Sequence, residues 1–163
     1  MKFDRDFLES VHNDIKADMA SIQLEPHRRT QNRISHFTYG CDFYTLRYWR
    51  SLDTSWMKDH WYNQSCLELL VYNNRLFIGI WFGKNNKEFL ELKSHEREII
   101  EKSQDYPGYT WIDEHEIPAG EDLIMWLCNR NHETAFRKEL TGYDRDEVVT
   151  EIKHLKEYLD VLL

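Results

Sequence analysis

The sequence predicts an α+β fold: an antiparallel sheet of about five strands, built from two hairpins plus one strand, packed by N-terminal, central and C-terminal helices. Three observations carry it. Two apolar runs, "CLELLVY" and "RLFIGIWF", flank an Asn73-Asn74 pair, and Asn tolerates the positive φ that a two-residue hairpin turn demands. An earlier pair of aromatic and β-branched runs, Ile34 to Tyr39 and Phe43 to Trp49, surrounds a "YGCD" turn. Both ends of the chain repeat apolar residues at three- and four-residue steps, the period of a helix with one buried stripe.

In chain order, residues 4–22 read as a helix with Phe7, Leu8, Val11, Ile15 and Met19 on one stripe and Asp4 as N-cap. Pro26 disfavours helix at Glu25, so a basic connector follows. The first hairpin comes next, then a loop over 51–64, then the Asn-Asn hairpin. In its second strand Leu76, Ile78, Ile80 and Phe82 share one face, and Phe77, Gly79 and Trp81 the other. Both faces are apolar, which places this strand centrally, covered on both sides. Residues 83–103 read as a turn and a helix carrying Phe89, Leu92, Ile99 and Ile100, with "EFLELK" as a competing strand. "YPGYTWIDEHEI" reads as turn then strand. "EDLIMWLC" and "NHETAFRKEL" read as short helices, the second closed by Gly142. "DRDE" at 144–147 has the spacing of a capping box, and Val148, Ile152, Leu155, Leu159 and Leu162 then form the stripe of a C-terminal helix.

At 163 residues the chain is expected to be a single domain, 1–163, long enough for a real core. No apolar run approaches the ~18–20 residues of a membrane helix, and the acidic, amphipathic "MKFDRDFLES" does not resemble a signal peptide. Cys41, Cys66 and Cys128 are odd in number and widely spaced, as expected of buried free thiols in a reducing cytoplasm. The net charge of −8 is unevenly spread. Residues 27–87 hold nine Lys/Arg and four Asp/Glu, whereas 88–163 hold nine Lys/Arg and nineteen Asp/Glu. Such a division marks a basic face and an acidic face.

Few motifs carry chemistry. "HFT" and "HET" give two His-x-Thr triplets, His36/Thr38 and His132/Thr134. Paired His-x-Thr/Ser triplets on strands resemble the two-histidine phosphoesterases, which implies two histidines as general base and acid on a phosphodiester and two hydroxyls on its oxygens. His36 lies in an expected strand; His132 lies in an expected helix start. "LELK" holds Glu91-x-Lys93, half of a metal-dependent nuclease site, to which Glu68 would add the upstream carboxylate. "HERE" and "DEHE" are rich in His and acid but lack zinc spacing, so no metal and no cofactor is expected. Gly-rich phosphate loops and nucleophile elbows are absent.

The basic, aromatic stretch 28–62 is the strongest candidate surface. Arg47, Tyr48, Trp49, Arg50, Trp56, Lys58, Trp61 and Tyr62 combine cations with large rings. Arginines neutralise phosphate and rings stack on bases, but Arg, Tyr and Trp also dominate protein–protein hot spots. The same rings would serve equally as the roof of the sheet, with the arginines paired to the acidic half.

The run 75–111 resembles part of a bacterial domain of unknown function found near restriction and nuclease modules. Asn86-Lys87, Phe89 with Leu92, Ile100-Glu101 and Trp111 carry the resemblance, and Thr110 stands where that domain has an acid. It implies the α+β fold and no catalytic residues. The expectation is a cytoplasmic, non-enzymatic binding protein, a protein-interaction module of the inhibitor, immunity or defence-accessory kind. Nucleic-acid binding through 28–62 is the second reading. A phosphodiesterase using His36 and His132 is the third. A protein partner is expected before nucleic acid, a membrane is not expected, and the oligomeric state is left open.

Overall fold

A computed structural model describes residues 2–21, 24–26, 34–38, 42–50, 65–82, 104–112 and 134–162. The described residues form an α+β structure: one antiparallel sheet with two helices packed against it. The helices are α1 (Arg5–Ser21) and α2 (Arg145–Leu162). The strands are β1 (Leu24–Pro26), β2 (Ile34–Thr38), β3 (Asp42–Arg50), β4 (Ser65–Tyr72), β5 (Arg75–Phe82), β6 (Thr110–Ile112) and β7 (Thr134–Glu139).

The sheet has seven strands rather than the expected five or so, in the order β1-β3-β4-β5-β7-β6, with β2 also on β3. Its spine is β3, β4, β5 and β7. One edge of the long β3 is shared: β2 pairs with its first half, Ile34 opposite Leu46, and β1 with its last residues, Leu24 opposite Arg50. Both expected hairpins are present. Asn73 and Asn74 have φ of 47° and 60°, the left-handed pair of a type I′ turn whose twist matches the flanking strands.

One expectation is overturned by pairing. Residues 134–139, read as helix, are strand β7, hydrogen-bonded between β5 and β6. Ala, Arg, Lys, Glu and Leu favour helix, but a six-residue ladder on β5 outweighs that bias. Gly142, at φ 76°, therefore turns the chain from a strand toward α2 rather than ending a helix. The expected central helix within 83–103, the piece at "EDLIMWLC" and the loop 51–64 lie outside the described residues.

Both helices start as their sequences dictate. The Asp4 carboxylate accepts the Phe7 amide at 3.0 Å. Asp144 accepts the Glu147 amide at 2.8 Å while Glu147 accepts that of Asp144 at 3.4 Å, the reciprocal capping box. Phe3 donates its amide to Asn74 Oδ1 at 2.8 Å, fastening the start of α1 to the β4–β5 turn. The helices lie side by side. Arg145 binds Ser10 and Asp14, and Lys153 pairs with Asp18 at 3.5 Å, so the two run in the same direction.

The core fills the space between helices and sheet. Leu8, Val11, Ile15 and Met19 of α1 and Val148, Ile152, Leu155 and Tyr158 of α2 pack on Leu46, Tyr48, Leu67, Leu69, Ile78, Ile80 and Phe136. The opposite side of the sheet is buried as well, at Leu70 and Phe77. β4 and β5 are thus covered on both faces, as the apolar pattern of the second hairpin required.

Candidate functional site

Side chains alternate along β3, so Arg47 and Tyr48 leave the strand on opposite faces. This separates two residues expected to act together as a binding surface. Tyr48 points to the helices and is 0% exposed. Its hydroxyl shares a 2.5 Å hydrogen bond with His12 Nδ1, and the two rings stack at 5.7 Å. Tyr48 is therefore a core residue and not a partner anchor. Arg47 lies on the other face with its side chain 12% exposed, and its Nε donates to Glu68 Oε2 at 2.8 Å. It too is withdrawn from a free binding surface by its carboxylate. Trp49 and Arg50 end β3 and pair in backbone register with Glu25 and Leu24; Trp56, Lys58, Trp61 and Tyr62 lie outside the described residues.

The most concentrated charge in the described sheet stands on the face away from the helices. Arg47, Glu68, Gly79 and Arg137 are successive partners across β3, β4, β5 and β7, one lateral row in the middle of the spine. Glu68 is 0% exposed. Burial pushes its carboxyl above the usual range, and the charges of Arg47 and Arg137 pull against that rise. Its Oε1 has no hydrogen-bond partner. Arg137 is buried too. Desolvation and the neighbouring Arg75 bring its guanidinium down to about 10, against the pull of Glu68 and Glu139.

Gly79 makes this row geometrically feasible. A Cβ there would stand 2.6 Å from both Arg137 Cβ and the Phe136 carbonyl oxygen. The missing side chain leaves the space that the base of the Arg137 side chain occupies. Next to it, Phe77 is held between two cations: the guanidinium carbons of Arg75 and Arg137 each sit 5.0 Å from its ring centroid. Arg75 forks onto Glu139 through two bonds of 3.0 and 2.8 Å.

A second cluster joins β7, the turn at 104–109 and α2. Phe136, Tyr106, Tyr109, Tyr158 and His154 pack ring against ring, Tyr106 on His154 and Phe136 on Tyr109 and Tyr158 stacked, and Tyr106 edge-on to Phe136 and Tyr158. Lys138 reaches into it, 3.5 Å from Glu151 and 5.6 and 5.4 Å from the rings of Tyr109 and Tyr143. Burial pulls its ammonium down, but Tyr143 and Glu151 outweigh that and hold it above its ordinary value. The cluster braces α2 against the sheet, with the buried hydroxyls of Tyr109 and Tyr158 left without a hydrogen-bond partner.

The two His-x-Thr triplets are not brought onto neighbouring strands. His36 and Thr38 are on β2 and Thr134 opens β7, with β3, β4 and β5 between them. At about 4.8 Å per strand, that is roughly 19 Å across the sheet. His132 lies outside the described residues, as do Glu91 and Lys93; of that metal-nuclease set only Glu68 is described, and it is tied to Arg47. No group of three or more His, Cys, Asp or Glu that could hold a metal stands among the described residues. No helix there is long and apolar enough to cross a membrane.

The charged row went unread in the sequence apart from Glu68, offered there to a metal. Two signals pointed to it: a carboxylate inside the apolar run "CLELLVY", and a glycine inside "RLFIGIWF", where it marks close backbone approach. Arg137, the last member of the row, falls in the segment that the sequence predicts as helix. Compared with protein-family models, curated proteins and solved structures, the chain matches none, so its function is to be argued from its own residues.

Proposed function

We propose that the chain is a non-enzymatic protein-interaction module, of the inhibitor, immunity or defence-accessory kind, that offers an acidic helical surface to a basic partner. One observation carries this reading: three arginines are committed to carboxylates of the chain itself while other carboxylates face outward. Arg47 is tied to Glu68, Arg75 to Glu139 and Arg145 to Asp14. The two helices hold nine Asp/Glu against five Lys/Arg, and Asp6, Glu9, Asp146, Glu147 and Glu157 are exposed. A surface of that kind raises association rate with a positively charged partner and weakens in salt.

The test is affinity capture with the tagged chain at low and at high salt, beside a variant carrying Asp6→Lys, Glu9→Lys and Glu157→Lys. The expected result is a basic protein retained at low salt, released at high salt and absent from the variant. No partner at either salt, or capture indifferent to the reversals, overturns the proposal. Binding of a short single-stranded oligonucleotide, weakened by Arg50→Ala with a flatter salt slope, would favour the nucleic-acid reading instead.

A further inference from the structure

The β4–β5 register is set locally, because a two-residue turn at Asn73-Asn74 dictates which residues pair. No such turn joins β3 to β4, which are separated by residues 51–64, or β5 to β7, which are separated by residues 83–133. Something else must fix those two ladders. A slip of one residue would turn the core face outward, so only slips of two are plausible competitors.

The helix-facing side does not distinguish them. Tyr44, Leu46 and Tyr48 oppose Val71, Leu69 and Leu67. After a slip of two, large apolar groups still oppose leucine or valine. The other side distinguishes them sharply. Sliding β3 by two would set Glu68 opposite Thr45 or Trp49 and part it from Arg47. Sliding β7 by two would take Arg137 off Gly79, to a position opposite residue 77 or 81, and leave Gly79 facing Ala135 or Glu139. The slip of β3 strands the buried Glu68 carboxylate, which costs far more than exchanging one leucine contact for another, and the slip of β7 gives up the fit of Arg137 against Gly79.

We propose that Arg47, Glu68, Gly79 and Arg137 form a register pin: the Arg47–Glu68 ion pair selects the alignment of β3 on β4, and the close fit of Arg137 against the missing side chain of Gly79 selects that of β7 on β5. The row serves uniqueness of the sheet more than its stability, as a buried polar group does when it fixes the register of paired helices.

The test replaces the ions by apolar groups, in a variant carrying Arg47→Leu, Glu68→Leu and Arg137→Leu. By NMR, the expected result is a retained thermal midpoint with two sets of amide signals on β3 and β7. Cross-strand contacts of the shifted alignment, position 45 with position 68, should appear, while β4–β5 keeps one set. A single set with native contacts on all three ladders overturns the proposal. Should the triple variant not fold, Glu68→Gln decides: amide exchange on β3 should accelerate on the order of tenfold over that on the β4–β5 hairpin. Uniform acceleration across the sheet overturns it.

Discussion

Among single residues, Gly79 and Glu68 have the most to lose by substitution. Gly79→Ala would force a methyl to within 2.6 Å of Arg137 Cβ and of a backbone oxygen. Overpacking of this kind costs about 1–3 kcal/mol, visible as a lower midpoint in denaturant. Glu68→Ala would take the carboxylate from the Arg47 guanidinium, with a loss of about 3–5 kcal/mol. Glu68→Gln tests the sign of the burial effect. The folded-state pKa of Glu68 is raised, so its contribution to stability is full below the unfolded value and is lost as pH rises through the folded one. Stability of the Gln variant relative to the native chain should therefore improve as pH climbs from the ordinary carboxylate range, measured by urea unfolding at several pH values. A falling difference would show that Arg47 and Arg137, not burial, set the balance.

At the level of elements, local chemistry was readable and distant pairing was not. The Asn-Asn turn and both aspartate caps are written in adjacent residues, and each appears where the sequence places it. Asp144→Ala should remove two cap bonds and lower stability by about 1 kcal/mol, with early loss of helical circular dichroism from α2. Strand β7 was misread because nothing within Thr134–Glu139 announces a strand; its partners on β5 lie far back in the chain, and the ladder they provide overrides propensity. The candidate site divides the same way. Glu68 and Gly79 break an apolar pattern and could be noticed, whereas the opposite facing of Arg47 and Tyr48 follows only from which side of β3 the helices occupy. The sharing of one β3 edge by β1 and β2 has no signal in the sequence that we can identify.

For the whole molecule, high pH should be the weak side of stability. Burial raises the phenols of Tyr106, Tyr109 and Tyr158, the last to about 12. A raised phenol contributes fully below its unfolded value near 10 and ceases to do so as pH passes through the folded one. Tyr158→Phe should flatten the decline between about 10 and 12, and because its buried hydroxyl has no partner, stability at neutral pH should hold or rise. Alkaline melting curves of the two chains give the comparison. The parallel course of α1 and α2 has a further electrical meaning. Their peptide dipoles point the same way and add, and the carboxylates of the caps and first turns already answer the two positive ends. Neither last turn carries a basic residue, so neither helix answers its own negative pole. The helix pair is thus a small electric doublet whose field would turn an approaching cationic partner toward the C-terminal ends of the helices before any contact is made.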